Sequence, residues 1–291
     1  MTNSRFIFIS LFGLLFSCSG NEETTEEKNE TTQTPTDSLA MATAFADFTT
    51  YVKSLEREVE NVDSVLTKYE NAKLNFTQEE KDSSFFVVKA FMQSFEIPTE
   101  EAEDYSEDGR DKMEKKYQKY GFDVWYEEGF PYLIPNLKFL ENKFKKDISV
   151  ELDDYLDVLK IVLRQTVSDA GLSVEWSELS EMIIACEDYV VENPDSKYFE
   201  EILSHYQGLM NLMLWGLDNT PILDYWTDET QKQLNKEVSS VYQKLMKDDK
   251  HKTGKIISDH IEFLESKNYE YTYEEIKFLT IAEVKMYLGV E

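Results

Sequence analysis

The chain has 291 residues, enough for one large domain or two small ones, and 41% are hydrophobic and 13% aromatic, enough for a sizeable core. Only 10 glycines and 6 prolines favour long regular elements over a turn-rich β architecture. With 30 basic against 58 acidic residues the net charge is −28, a balance that excludes nucleic acid as a partner and disfavours anionic lipid headgroups.

Arg5 opens a short positive region, and Phe6–Phe16 follows, apolar apart from Ser10 and Gly13. This stretch falls short of the ~20 residues that span a bilayer but suits a signal peptide over 1–17. Leu15-Phe16-Ser17-Cys18 comes next. These residues resemble a bacterial lipobox, in which a small residue precedes a cysteine that becomes lipidated; an ordinary secretory signal is the alternative. Phe16 is the unusual position. Ser19 after the cysteine is similar to lipoproteins sent to the outer membrane, and the acidic Glu22-Glu23 resembles the surface-export signal of Bacteroidota lipoproteins. The resemblance implies a membrane anchor at Cys18 and an outer-membrane location, surface-exposed or periplasm-facing. Residues 18–38 carry almost no large apolar side chain and are rich in Glu and Thr, which reads as a tether.

Residues 39–291 read as an all-α domain, an antiparallel multi-helix bundle or a solenoid-like array of helix pairs. Met41, Phe45, Phe48, Val52, Leu55, Val59, Val62, Leu66 and Tyr69 alternate spacings of four and three, a heptad stripe that predicts a long helix over 39–74. The stripe packs on its own chain or on a coiled-coil partner. Thr77 and Glu80 form a capping box for a helix to about Ile97, before Pro98. The half-helical segment 99–120 puts Met113, Tyr117 and Tyr120 on one side and closes at Gly121. Residues 122–135 differ: aromatic and punctuated by Gly129, Pro131 and Pro135, they predict a short β-hairpin turning at Glu127-Glu128-Gly129, or an irregular segment.

Helices resume at 136–146. Ser149 caps the next, to about Ser168; Ser173 caps 174–192; Ser196 caps 197–217; Asp218–Pro221 is a turn, with Thr220-Pro221 opening a helical turn. Thr227 starts 228–248, Thr253 starts 254–267, and Thr272 with Glu275 caps 273–288. Ser196 and Thr253 stand about 57 residues apart, which hints at a helix-pair repeat.

No nucleophile elbow, phosphate-cradling loop or His-Glu-x-x-His motif occurs, and no cofactor is implied. Two aromatic–acidic clusters are the candidate ligand sites: Trp125, Tyr126, Glu127, Glu128 and Tyr132, and Trp215, Asp218, Asn219, Asp224, Tyr225 and Trp226. Aromatic faces beside acids stack on and hydrogen-bond a sugar or peptide. The bland reading is that the tryptophans plug helix ends while Asp218 and Asn219 serve turn backbone. Asp104, Ser106 and Asp108 resemble the first half of a calcium loop, but its twelfth position is Lys115 where a bidentate carboxylate belongs. The three histidines, His205, His251 and His260, share no metal-ligand spacing; His205 and His260 read as helix-surface or partly buried residues, and Cys186 as a buried apolar one. The sequence thus predicts a lipid-anchored binding or scaffold domain with a protein or glycan partner; the alternative is an enzyme that cuts envelope polymers with the acids of the two clusters.

Overall fold

The computed structural model describes residues 35–102, 106–127, 129–224 and 233–290. Among the described residues the fold is all-α with four small antiparallel strand pairs, called hairpins below. Helix α1 (Pro35–Ser54) begins ahead of the expected position 39, with proline, whose fixed φ suits a first helical residue, at its start. The predicted 39–74 helix is broken. Residues 55–60 form turns, and α2 (Asn61–Ala72) follows. Glu56 and Glu60 would stand one helical turn apart in a continuous helix, a like-charge pair that opposes it. The break folds the stripe on itself. Phe45 meets Phe76 edge-on at 5.6 Å, and Phe48 meets Tyr69 at 6.1 Å.

The Thr77–Glu80 capping box forms and starts α3 (Gln78–Met92). This helix stops short of Ile97 because Phe95 turns inward onto Phe91 and Phe122, at 5.0 and 5.6 Å. Short α4 (Thr99–Ala102) and Ser106-capped α5 (Glu107–Gln118) lead to β1 (Phe122–Glu127) and β2 (Phe130–Pro135), the hairpin expected from the aromatic segment. Gly121 joins them at φ +85°, with the Phe139 ring where a Cβ would stand. Asn136 caps α6 (Leu137–Phe144), and Ser149 caps α7 (Val150–Val162).

Helix α7 ends before the predicted Ser168. Instead β3 (Val167–Ser168) and β4 (Gly171–Leu172) pair around Asp169 and Ala170, both left-handed. The cap of α8 (Trp176–Glu192) is a Glu175–Glu178 box rather than Ser173, whose N–H is spent on the Thr166 carbonyl. Ser196 serves the start of α9 (Phe199–Trp215), accepting from the Tyr198 N–H at 3.2 Å. Thr220-Pro221 opens no helix: it is β6 (Thr220–Pro221), paired with β5 (Gly216–Leu217). Likewise Gln233 and Leu234, expected in a helix, form β8 (Gln233–Leu234), paired with β7 (Leu223–Asp224); Thr227 lies outside the described residues. Asn235 caps α10 (Lys236–Met246), and α11 (Thr253–Ser266) follows. The Thr272–Glu275 pair closes only one 3₁₀ turn, and a Thr280–Glu283 box starts α12 (Ile281–Leu288).

The bundle has two distinct poles. At one, side chains tie the interhelical loops together. Lys73 bonds Asp147 at 2.8 Å; Asp82, 3% exposed, accepts from the Ser149 N–H and hydroxyl at 2.8 and 2.6 Å. Glu151 accepts from the Ser196 hydroxyl and the Lys197 N–H at 2.9 and 3.0 Å. Glu187, 2% exposed on α8, accepts from the Lys252 N–H, and from the Thr253 N–H and hydroxyl at 3.0 and 2.6 Å, so it caps α11 from another helix. Gly254 makes this approach possible, since a Cβ there would sit 2.5 Å from the Leu245 carbonyl oxygen. At the opposite pole lie the hairpins. Asn219 bonds the Asp169 and Ala170 carbonyls, and the Thr220 hydroxyl accepts from the Leu172 N–H at 2.9 Å.

Glu187→Ala strands three donors beside a buried helix start, and each bond to a charged acceptor is worth ~1.5–3 kcal/mol. Urea unfolding should show a loss of about 3 kcal/mol, whereas Glu58→Ala, in the exposed α1–α2 break, should stay within about 0.5 kcal/mol. Equal losses would contradict the capping role.

Candidate functional site

The β1–β2 hairpin owes its form to alternation. Phe122, Val124, Tyr126, Leu133 and Pro135 face inward, with Phe122, Leu133 and Pro135 buried. Trp125, Phe130, Tyr132 and Ile134 take the other face, outside the core formed by the described residues. Glu127 pairs with Phe130, so the loop is two residues long, and Gly129 takes φ +86° there. Phe130 is 63% exposed. Trp125 and Tyr132 are cross-strand partners, edge to face at 6.3 Å.

The hairpin is clamped from behind. The Arg110 guanidinium lies over the Tyr126 ring at 5.2 Å, and the Tyr126 hydroxyl donates to Glu114 at 3.3 Å. Gln165 donates to the Tyr126 carbonyl, and the Asn136 amide donates to both Asp123 oxygens at 2.9 and 3.0 Å. Burial and the Glu127 charge hold the Tyr132 phenol above its ordinary range, so it stays a hydrogen-bond donor. Pro131 and Pro135 lack an N–H at alternate positions of β2, so that edge is a poor template for another strand. What this surface offers is its side chains.

The first predicted cluster is therefore split by the sheet. Trp125, Glu127 and Tyr132 share the outer face, while Tyr126 is turned inward and clamped. Glu128 lies outside the described residues. The second cluster is structural. Trp215 packs edge-on to His260, Tyr271 and Phe263 at 4.7, 5.5 and 5.9 Å and donates to the Lys277 carbonyl at 3.2 Å, plugging the end of α9. Asn219 braces the neighbouring hairpin, Asp218 is exposed in its turn, and Asp224 lies in β7. Tyr225 and Trp226 lie outside the described residues.

The remaining candidates are absorbed by the fold. The predicted calcium loop is wound into the start of α5: Ser106 accepts from the Gly109 N–H at 3.0 Å as its cap, and Asp108 pairs with Lys112. Asp104 and Cys18 lie outside the described residues. Cys186 is buried, which pushes its thiol upward and leaves it unreactive. Burial also pulls His260 down to about 4, so its ring is neutral inside the aromatic packing of Trp215 and Tyr242. Burial lowers His205 in the same sense. His251 goes the other way: burial opposes its charge, but bonds to Asp248 at 2.7 Å and Asp188 at 3.1 Å prevail. Sequence reading missed the clamps on Tyr126; Arg110 and Glu114 carry no local signal for a contact that only the returning hairpin creates.

Compared with protein-family models, curated proteins and solved structures, the chain matches none.

Trp215→Ala removes a plug and should lower the unfolding free energy by about 2 kcal/mol, less than full burial would give because the residue is only partly buried at the helix end. Phe130→Ser removes an outward ring and should change it by less than about 0.5 kcal/mol. Paired denaturation curves decide; a large loss for Phe130→Ser would place that ring in the core.

Proposed function

We propose that this chain is an outer-membrane lipoprotein anchored through Cys18, whose helical domain is a binding module for a protein or glycan. The observation that carries the binding reading is the clamped hairpin with Trp125, Phe130, Tyr132 and Ile134 on its outer face. Aromatic side chains on a rigid element lose little freedom on binding and supply the large contact areas typical of recognition hot spots. A phenol donor and the Glu127 carboxylate beside them suit polar groups on a sugar or peptide. The anchor reading rests on Leu15-Phe16-Ser17-Cys18 and the polar stretch behind it. Among the described residues no helix is long and apolar enough to cross a membrane, and acylation would supply the attachment. The enzymatic alternative draws less support, because Trp215 is consumed in packing and Tyr126 is turned inward.

Placing a photo-reactive phenylalanine analogue at position 130 in the intact cell should yield a cross-linked product that the same analogue at exposed Glu262 does not. Trp125→Ala should reduce that product about tenfold, the effect of losing ~1.4 kcal/mol of binding. Equal products at both positions, or no effect of Trp125→Ala, would remove the hairpin from the function.

A further inference from the structure

Glu187 and Asp188 are neighbours on α8, and both reach the loop 247–252 that joins α10 to α11. Glu187 takes backbone N–H groups of Lys252 and Thr253. Asp188 takes side chains. Its Oδ1 accepts from the Lys250 ammonium at 2.6 Å and lies 3.1 Å from Nε2 of His251. The other ring nitrogen of His251, Nδ1, lies 2.7 Å from Oδ2 of Asp248. The imidazole therefore stands between two carboxylates, one from α8 and one from its own loop, with its side chain 10% exposed.

Hydrogen-bond chemistry fixes what this arrangement requires. An ionised carboxylate can only accept. Both are held in that form. The His251 bond keeps Asp248 below the usual carboxylate range; for Asp188 burial opposes the charge, but the Lys250 and His251 bonds prevail. A neutral imidazole has one N–H and one lone pair, so it serves one carboxylate and turns a lone pair on the other. An imidazolium has two N–H groups and serves both. Glu187 of α8 adds a third negative charge to the surroundings of the ring. Against it stand Lys250, already on Asp188, and Lys244 of α10, which lines the groove beside the pair.

From this geometry we infer that His251 is a proton-operated staple: protonated, it pins loop 247–252 to α8, and neutral, it lets the loop go. The Asp188 contact is the one that gives, because it is the longer of the two and Lys250 continues to satisfy that carboxylate. Asp188 and Asp248 also line a groove of about 320 Å³ between α8 and α10, through which protons reach the pair. The sign of the pH dependence follows. Burial lowers the affinity of His251 for its proton, the bonds to Asp248 and Asp188 outweigh burial, and the net shift is upward. The staple is thus fully closed below the unfolded-state value of ~6.5 and is lost as pH rises through the higher folded value.

The test uses the full chain in non-ionic detergent, its histidines labelled with carbon-13 at the ring Cε1. The chain has 3 histidines. The His251 signal is the one missing in His251→Gln or, by elimination, the one that remains in both His205→Gln and His260→Gln. It should titrate above ~6.5, whereas His260 should titrate near 4. Asp188→Asn and Asp248→Asn should each move the His251 midpoint down. The urea midpoint of the wild type should fall between about pH 6 and about pH 9, and this fall should be smaller in His251→Gln and in Asp188→Asn. At neutral pH, trypsin should cut within 247–252 faster in His251→Gln than in the wild type. A His251 midpoint at or below ~6.5, failure of either Asn variant to move it, an equal pH-dependent fall in the variants, or equal cleavage of the loop would overturn the staple.

Discussion

Carboxylates placed on the first turns of other helices organise this molecule. Asp82 of α3 takes the start of α7, Glu151 of α7 takes the segment entering α9, and Glu187 of α8 takes the start of α11. A helix start leaves N–H groups without intrahelical partners and carries the positive end of its dipole, so a carboxylate satisfies both requirements at once. Since each acid belongs to a different helix from the one it caps, the bonds set where helices begin relative to one another. Gly254 completes the arrangement by letting α11 start against the last turn of α10.

That alignment leaves the opposite ends to be closed by other means. Helices α7 and α9 finish there and α8 and α10 begin there, and the connections form hairpins rather than open loops. The hairpins pair backbone groups that would otherwise be stranded, and Asn219 and Thr220 lock two of them together. The longest, β1–β2, is held by Gln165, Asn136, Arg110 and Glu114, and so presents its outer aromatic side chains on a fixed frame.

Much of this was legible in sequence where the signal is local. The Thr77–Glu80 box, the Ser149 cap and the aromatic hairpin each depend on residues within a few positions of one another, and each is found where its pattern lies. The errors share a cause. The heptad stripe continues through 55–60 because Val52 and Val62 are buried on the two sides of the break and Val59 within it, so periodicity survives while the helix does not. Residues 163–172 and 216–224 look helical at their edges, but Asp169, Ala170 and Gly216 take positive φ, and the hairpins are fixed by contacts across about fifty residues. For the candidate site, sequence composition marked both tryptophan clusters alike. Only packing separates Trp125 on an open face from Trp215 within a helix end, and only strand alternation turns Tyr126 away from Trp125.

The central claim is that a chain attached by acyl groups at Cys18 carries this two-poled domain. Intact mass spectrometry of the protein recovered from its native membranes tests that claim most directly. The account predicts a mature chain beginning at Cys18, heavier than its polypeptide by a diacylglyceryl group and an amide-linked acyl chain. A chain that begins at any other residue, or whose mass is that of polypeptide alone, would contradict it.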